Sequence, residues 1–130
     1  MTFLDSSVII DMVEGDPETV ERMEAFETPY LTSTVCVFEV LNGALGADET
    51  DVVAARQDFG GVTALDLTEN VALEAVRLQD RLLEDGQRMA TRDVLIAATA
   101  RSTGDELVVA DSDFETDALA DLMRVTNLRA

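Results

Sequence analysis

The chain has 130 residues, the size of one ordinary domain, and 47% of them are hydrophobic, enough for a core and too many for a disordered chain. Fifteen Asp and twelve Glu stand against nine Arg, for a formal net charge of -18, and there is no Lys, no His and no Trp. These absences exclude a Schiff-base or phosphate-binding lysine, a histidine general base and, with one Cys, a zinc site of the Cys/His kind, leaving any catalysis to carboxylates, hydroxyls, arginine and a bound ion.

In chain order, the apolar run 2–4 reads as a strand ending at Leu4, followed by a tight acidic turn and a helix from Ser6 or Ser7. Asp16-Pro17 is a helix start, Asp as N-cap and Pro in the first helical position, and the polar segment to about Glu27 keeps Val20, Met23 and Phe26 at helical spacing. Pro29 to Thr32 reads as a brief strand, with Ser33 or Thr34 capping a helix through Gly43. Residues 49–59 read as a further helix, broken by Gly60-Gly61, and Val62 to Leu65 as a strand. After Thr68, the residues Val71, Ala75, Leu78 and Leu82 recur on one face of a helix whose other side carries Glu74, Arg77, Asp80, Arg81 and Glu84. Thr91 is placed to cap a nearly all-apolar helix from Arg92 to about Ser102, packed on more than one side and ended by Gly104. Leu107 to Ala110 reads as a buried parallel strand, and Met123 to Thr126 as a last short one. Short apolar strands alternating with helices point to a single α/β unit over 1–130, its parallel sheet covered on both faces.

Cys36 lies in an apolar run and reads as a small core residue. The opening residues lack a basic stretch and carry acids at 5, 11 and 14, which does not suit a signal peptide, and no run of 18 apolar residues is present. A cytoplasmic protein without a membrane span is the expectation. The charge opposes a nucleic-acid partner at low salt. At about 1 M salt the Debye length falls to roughly 3 Å, so the same acidity reads equally as adaptation to very high salt.

With 27 acids, position must separate chemistry from surface. Sites in parallel sheets form beyond the carboxyl ends of the strands. Asp5 follows the first strand directly, and Asp111 follows the strand at 107–110 in the same way; the alternative for both is capping of what comes next. Glu39 interrupts the apolar helix Val35 to Leu41, where a carboxylate is costly to bury unless paired or coordinated; the alternative is that the helix turns this one position to solvent. Asp93 opens the apolar helix, where the macrodipole favours an anion. Four such carboxylates, with Asp113 as a fifth and the Ser6 and Ser7 hydroxyls nearby, form an all-oxygen donor set that suits Mg²⁺ or Mn²⁺. A site of this kind activates water and clamps the oxygens of a phosphodiester. Arg92 is available either to contact a phosphate of such a substrate or to form a surface salt bridge.

These residues resemble a known family. The blocks Phe3-Leu4-Asp5-Ser6-Ser7-Val8-Ile9-Ile10-Asp11, Phe38-Glu39-Val40-Leu41-Asn42-Gly43, Arg92-Asp93-Val94-Leu95-Ile96-Ala97-Ala98-Thr99-Ala100 and Leu107-Val108-Val109-Ala110-Asp111-Ser112-Asp113-Phe114 look like a PIN-domain ribonuclease of the VapC toxin type, in family order. The resemblance implies a three-layer α/β/α fold with a parallel five-stranded sheet in the order 3-2-1-4-5. It also implies that Asp5, Glu39, Asp93 and Asp111 form an acidic quartet holding Mg²⁺ or Mn²⁺, with Asp113 close by and Ser6 or Ser7 as the hydroxyl beside the first Asp. RNA as substrate, a homodimer, and a cognate antitoxin that blocks the groove are implied in the same way. Ala110 departs from the family, which commonly has a threonine there.

Among rivals, a phosphate-accepting receiver domain needs a lysine that this chain lacks. An aspartate-nucleophile phosphatase needs an acid two residues after the nucleophile, where Ser7 stands. A housekeeping RNA-processing nuclease and a catalytically silent PIN-like binding module remain as alternatives to a toxin.

Overall fold

The computed structural model describes residues 1–45, 51–114 and 116–129. Its five strands, β1 (Thr2–Leu4), β2 (Tyr30–Ser33), β3 (Val62–Leu65), β4 (Glu106–Val109) and β5 (Val125–Asn127), form one sheet. All pairings are parallel and the order is β3-β2-β1-β4-β5. The connecting helices are α1 (Ser6–Glu14), α2 (Pro17–Met23), α3 (Thr34–Gly43), α4 (Val52–Gln57), α5 (Glu69–Glu84), α6 (Thr91–Thr103) and α7 (Thr116–Leu119). The expected layered α/β/α architecture and strand order are present.

Alternation along the strands divides the core in two. Phe3, Leu31, Leu107 and Val109 face the apolar sides of α5 and α6, packing with Leu78, Leu82, Ile96 and Ala97. Leu4 and Val108, one position out of step, face the other layer with Val8, Ile9, Met23 and Val40. The periodic residues Val71, Ala75, Leu78 and Leu82 of α5 are all buried, and α6 buries Val94 and the run from Ile96 to Ala100, as expected for a helix packed on several sides.

The segment joining α5 to α6 is pinned by one side chain. Gln79 donates from Nε2 to the Met89 carbonyl at 2.7 Å and accepts the Met89 N–H at 3.0 Å. The start of α6 is thereby fixed against α5. At its far end Gly104 adopts φ +73°, a left-handed conformation that costs a side-chain-bearing residue about 1 kcal/mol or more.

Several boundaries differ from the expectation. Helix α2 ends at Met23, and the N–H groups of Ala25 and Phe26 bond three residues back, to Arg22 and Met23, in a tighter turn. The cap of α6 is Ala90, without a side-chain bond, and Thr91 is the first helical residue. Strand β4 stops at Val109 because the Ala110 N–H goes to the Ser7 hydroxyl. Strand β5 begins at Val125, two residues later than read. The expected helix at 49–59 is found over Val52–Gln57, while residues 49 and 50 lie outside the described residues. No helix among the described residues is long and apolar enough to cross a membrane.

Candidate functional site

Parallel strands deliver their carboxyl ends to one edge of the sheet, and the polar side chains gather there. Asp5 continues β1, its N–H reaching the Val108 carbonyl of β4 at 3.0 Å. Its extended backbone makes it the N-cap of α1, where Oδ2 accepts the Ser7 N–H at 3.2 Å and the Ser7 hydroxyl at 2.5 Å. Capping and a position in the site therefore coincide in one residue, which is 1% exposed. Ser7 Oγ in turn accepts the Ala110 N–H at 2.9 Å, tying Asp5 to the end of β4. Two acids beyond it, Asp111 and Asp113, leave the sheet together: Asp111 Oδ1 accepts the Asp113 N–H at 2.9 Å.

The second half of the site comes from helices. Ser33 caps α3, accepting the Val35 N–H, and sets the helix so that Glu39 faces the sheet edge while Phe38 is turned to solvent. Asp93 lies in the first turn of α6, where its charge is favoured by the unpaired N–H groups of the helix start. Between these acids lies the Arg92 guanidinium. Its Nε donates to Glu39 Oε2 at 2.5 Å, Nη1 to Asp93 Oδ1 at 2.6 Å, and Nη2 to Asp5 Oδ1 at 2.9 Å and to Ser6 Oγ at 2.8 Å. Each nitrogen faces a different carboxylate.

The electrostatics follow from that crowding. Two like unit charges 4 Å apart, at an effective dielectric near 20, repel by about 4 kcal/mol, so three carboxylates on one sheet edge require a cation. Burial alone lowers the Arg92 pKa, but the hydrogen bonds to Glu39 and Asp93 and the charge of Asp5 outweigh it and raise it above the ordinary arginine value. Arg92 is thus permanently charged, and one positive charge faces three negative ones. Beneath the site Cys36 is fully buried. Burial, reinforced by the charge of Asp5, pushes its thiol pKa up to about 11, so it is a neutral core thiol at ordinary pH, as its sequence context suggests.

The donor set consists of hard oxygens, the kind Mg²⁺ and Mn²⁺ take. Glu39 Oε1, the oxygen not bonded to Arg92, is buried without a hydrogen-bond partner, an acceptor removed from solvent. Among the described residues no three acidic or cysteine side chains are arranged to hold one ion as they stand, and Glu39, Asp93 and Asp5 each bond a different nitrogen of the guanidinium. The oxygens of Asp5, Glu39 and Asp93 fit a divalent cation in donor chemistry, though not in their present placement.

Of the residues singled out by sequence, Asp5, Ser6, Glu39, Arg92 and Asp93 are joined by direct bonds, and Ser7 links them to β4. Asp111 and Asp113 share the edge but form no ion pair among the described residues. Arg92, considered for a phosphate contact, here turns inward on the acids. Asn127 went unnoticed: at the end of β5, its Nδ2 donates to the Asp111 carbonyl at 2.7 Å and steadies the turn that carries both acids. A polar residue closing the last strand of a parallel sheet was the available signal.

Comparison with known proteins agrees with the fold. No curated protein matches the chain by sequence. Among solved structures, a toxin-antitoxin complex from Klebsiella pneumoniae is similar with a TM-score of 0.78 at 20% identity, covering 98% of this chain and 97% of that one. A member of the VapBC family of toxin-antitoxin systems, VapBC-5 from Mycobacterium tuberculosis, is similar with a TM-score of 0.70 at 27% identity, covering 99% and 98% of the two chains. FitAcB from Neisseria gonorrhoeae gives a TM-score of 0.76 at 22% identity, covering 98% and 97%. The sequence model of the PIN domain matches residues 2–118, every strand but the last and all the acids of the sheet edge, and the chain belongs to the PIN-domain family.

Proposed function

We propose that this chain is a Mg²⁺- or Mn²⁺-dependent endoribonuclease acting as the toxin of a toxin–antitoxin pair. The observation that carries the reading is the gathering of Asp5, Glu39 and Asp93 around one guanidinium at the sheet edge in a PIN-domain chain. Asp5, Glu39, Asp93 and Asp111 would hold the cation, with Asp113 at its margin. The bound cation supplies an activated water and a clamp on phosphodiester oxygens. This chain's own residues do the rest: Ser7 fixes the orientation of the Asp5 carboxylate, the first turn of α6 presents Asp93, and water or a carboxylate takes the proton, since no histidine is present.

The toxin role is supported by the likeness to VapBC-5, which spans 99% of this chain at 27% identity. That protein is described as a member of a toxin-antitoxin system, which supports an antitoxin as protein partner; RNA as substrate and a homodimer as the working state belong to the same proposal. The net charge of -18 supports assay at molar salt, where repulsion of a polyanion is screened and where a salt-adapted protein would work.

The test is cleavage of a mixed RNA substrate in molar KCl with Mn²⁺, with excess EDTA, and with Asp93→Asn. Cleavage that needs Mn²⁺ and is lost in Asp93→Asn is expected. Cleavage persisting in EDTA would overturn the metal-dependent reading. Growth arrest on expression, relieved by co-expressing the product of a short neighbouring reading frame, separates the toxin from a housekeeping nuclease, for which neither effect is expected.

A further inference from the structure

We infer that Arg92 is a resident counter-cation of the carboxylate site, exchanged for the divalent ion rather than bound alongside it. The inference rests on the metal-dependent reading above. Its basis is that all three guanidinium nitrogens are committed to the site's own acids: Nε to Glu39, Nη1 to Asp93, Nη2 to Asp5 and Ser6. A planar group bonded at each edge by a different carboxylate holds those carboxylates apart, and in this state no three acids among the described residues are arranged around a common ion position. An ion of the Mg²⁺ class needs oxygens converging at about 2.1 Å on one centre. That centre is the volume the guanidinium fills.

Charge and desolvation point the same way. A divalent ion and a guanidinium sharing the same three carboxylates face each other as like charges at close range. The buried, unbonded Glu39 Oε1 marks an oxygen that the guanidinium leaves unsatisfied and that a ligated ion would satisfy. Arg92 is also a third exposed, so its long side chain has solvent to move into. In the absence of metal, Arg92 keeps the acids from repelling one another and holds the fold together at the sheet edge. With metal, it is released to the rim, where a strand of RNA phosphates is the natural new partner for a guanidinium.

Two measurements test the exchange. The first is calorimetric titration of Mn²⁺ into the wild type and into Arg92→Gln at fixed molar KCl, with unfolding temperatures in EDTA and in Mn²⁺. The variant is expected to bind Mn²⁺ at least tenfold more tightly, and to gain more in unfolding temperature from it, because nothing has to be displaced. Equal affinity in the two proteins overturns the exchange and leaves the metal-dependent reading standing. Binding by neither overturns that reading and the exchange with it.

The second measurement uses the wild type alone and so does not depend on the variant folding. Phenylglyoxal modification of arginine is followed site by site by mass spectrometry, in EDTA and in Mn²⁺. Mn²⁺ is expected to raise the rate at Arg92 severalfold and leave the rates at the exposed Arg77 and Arg81 unchanged. An Arg92 rate that stays constant or falls on adding Mn²⁺, while calorimetry records binding, overturns the exchange.

Discussion

Ser7→Ala isolates how the sheet edge is assembled. The hydroxyl makes two bonds at once, donating to Asp5 Oδ2 and accepting the Ala110 N–H at 2.9 Å. Its removal leaves the Ala110 N–H without its acceptor at a residue only 7% exposed, costing about 1–3 kcal/mol. It also removes one of the bonds to the buried Asp5 carboxylate, which keeps Arg92 and the Ser7 N–H. The sum is about 2–4 kcal/mol, and for a domain of this size each kcal/mol moves the melting temperature by about 3–5 °C, so a fall on the order of 10 °C is expected. Ser6→Ala is the control. Its hydroxyl only accepts from Arg92 Nη2, which also has Asp5, so the loss should stay near 1 kcal/mol or below. The measurement is urea unfolding of the two variants and the wild type at one salt concentration, with Ser7→Thr expected to restore most of the loss. If Ser7→Ala were no less stable than Ser6→Ala, the hydroxyl would not be the tie between β1 and β4 and the reasoning would fail.

Three further outcomes are expected. Asp111→Asn, whose residue forms no ion pair among the described residues and keeps an oxygen for the Asp113 N–H, should change stability by less than about 0.5 kcal/mol while RNA cleavage falls at least 100-fold; unchanged cleavage removes Asp111 from the site. Gly104→Ala places a Cβ in open space but at φ +73°, so it should cost about 1 kcal/mol through backbone strain alone, read by thermal unfolding, and a neutral result would contradict the left-handed cap. Burial, with the charge of Asp5, pushes the Cys36 thiol from 9.0 up to about 11 in the folded protein. The folded state therefore holds its proton more tightly, and the stability this provides is complete below about pH 9 and is lost as pH rises towards 11, by about 2–3 kcal/mol. Cys36→Ala should flatten unfolding free energy against pH over that window; an unchanged slope would show that the thiol is not the group responsible.

The strands and long helices were legible because their signals are local. The run Leu107-Val108-Val109 is buried on both faces, and the spacing of Val71, Ala75, Leu78 and Leu82 matches the helical period, so composition and periodicity sufficed. Boundaries failed where a tertiary bond decides them. The Ala110 N–H belongs to a hydroxyl 103 residues earlier, and nothing near Ala110 announces that the strand ends before it. The single-turn helix α7 is too short to show a period, although Leu119 within it is fully buried. The acids were legible as positions, at strand ends and helix starts. The direction of Arg92 was not, because its neighbour Asp93 suggests a solvated pair, while its strongest tie is to Glu39, 53 residues away in sequence and adjacent only once α3 and α6 meet at the sheet edge.

The pair of hydrogen bonds between Gln79 and Met89 bears on tempo as well as shape. Met89 precedes Arg92 by one short step of chain, and its amide and carbonyl are both taken by the Gln79 side chain. From the other side the Val94 N–H already reaches the Ala90 carbonyl. The backbone under Arg92 is thus closed at both ends, and a departure of its guanidinium is a matter of rotation about side-chain bonds. Such rotations take picoseconds to nanoseconds in exposed residues, against microseconds or longer for loop opening. Once its hydrogen bonds let go, the arginine clears the sheet edge without waiting for the chain, and the rate at which one cation replaces another is set by the breaking of those bonds.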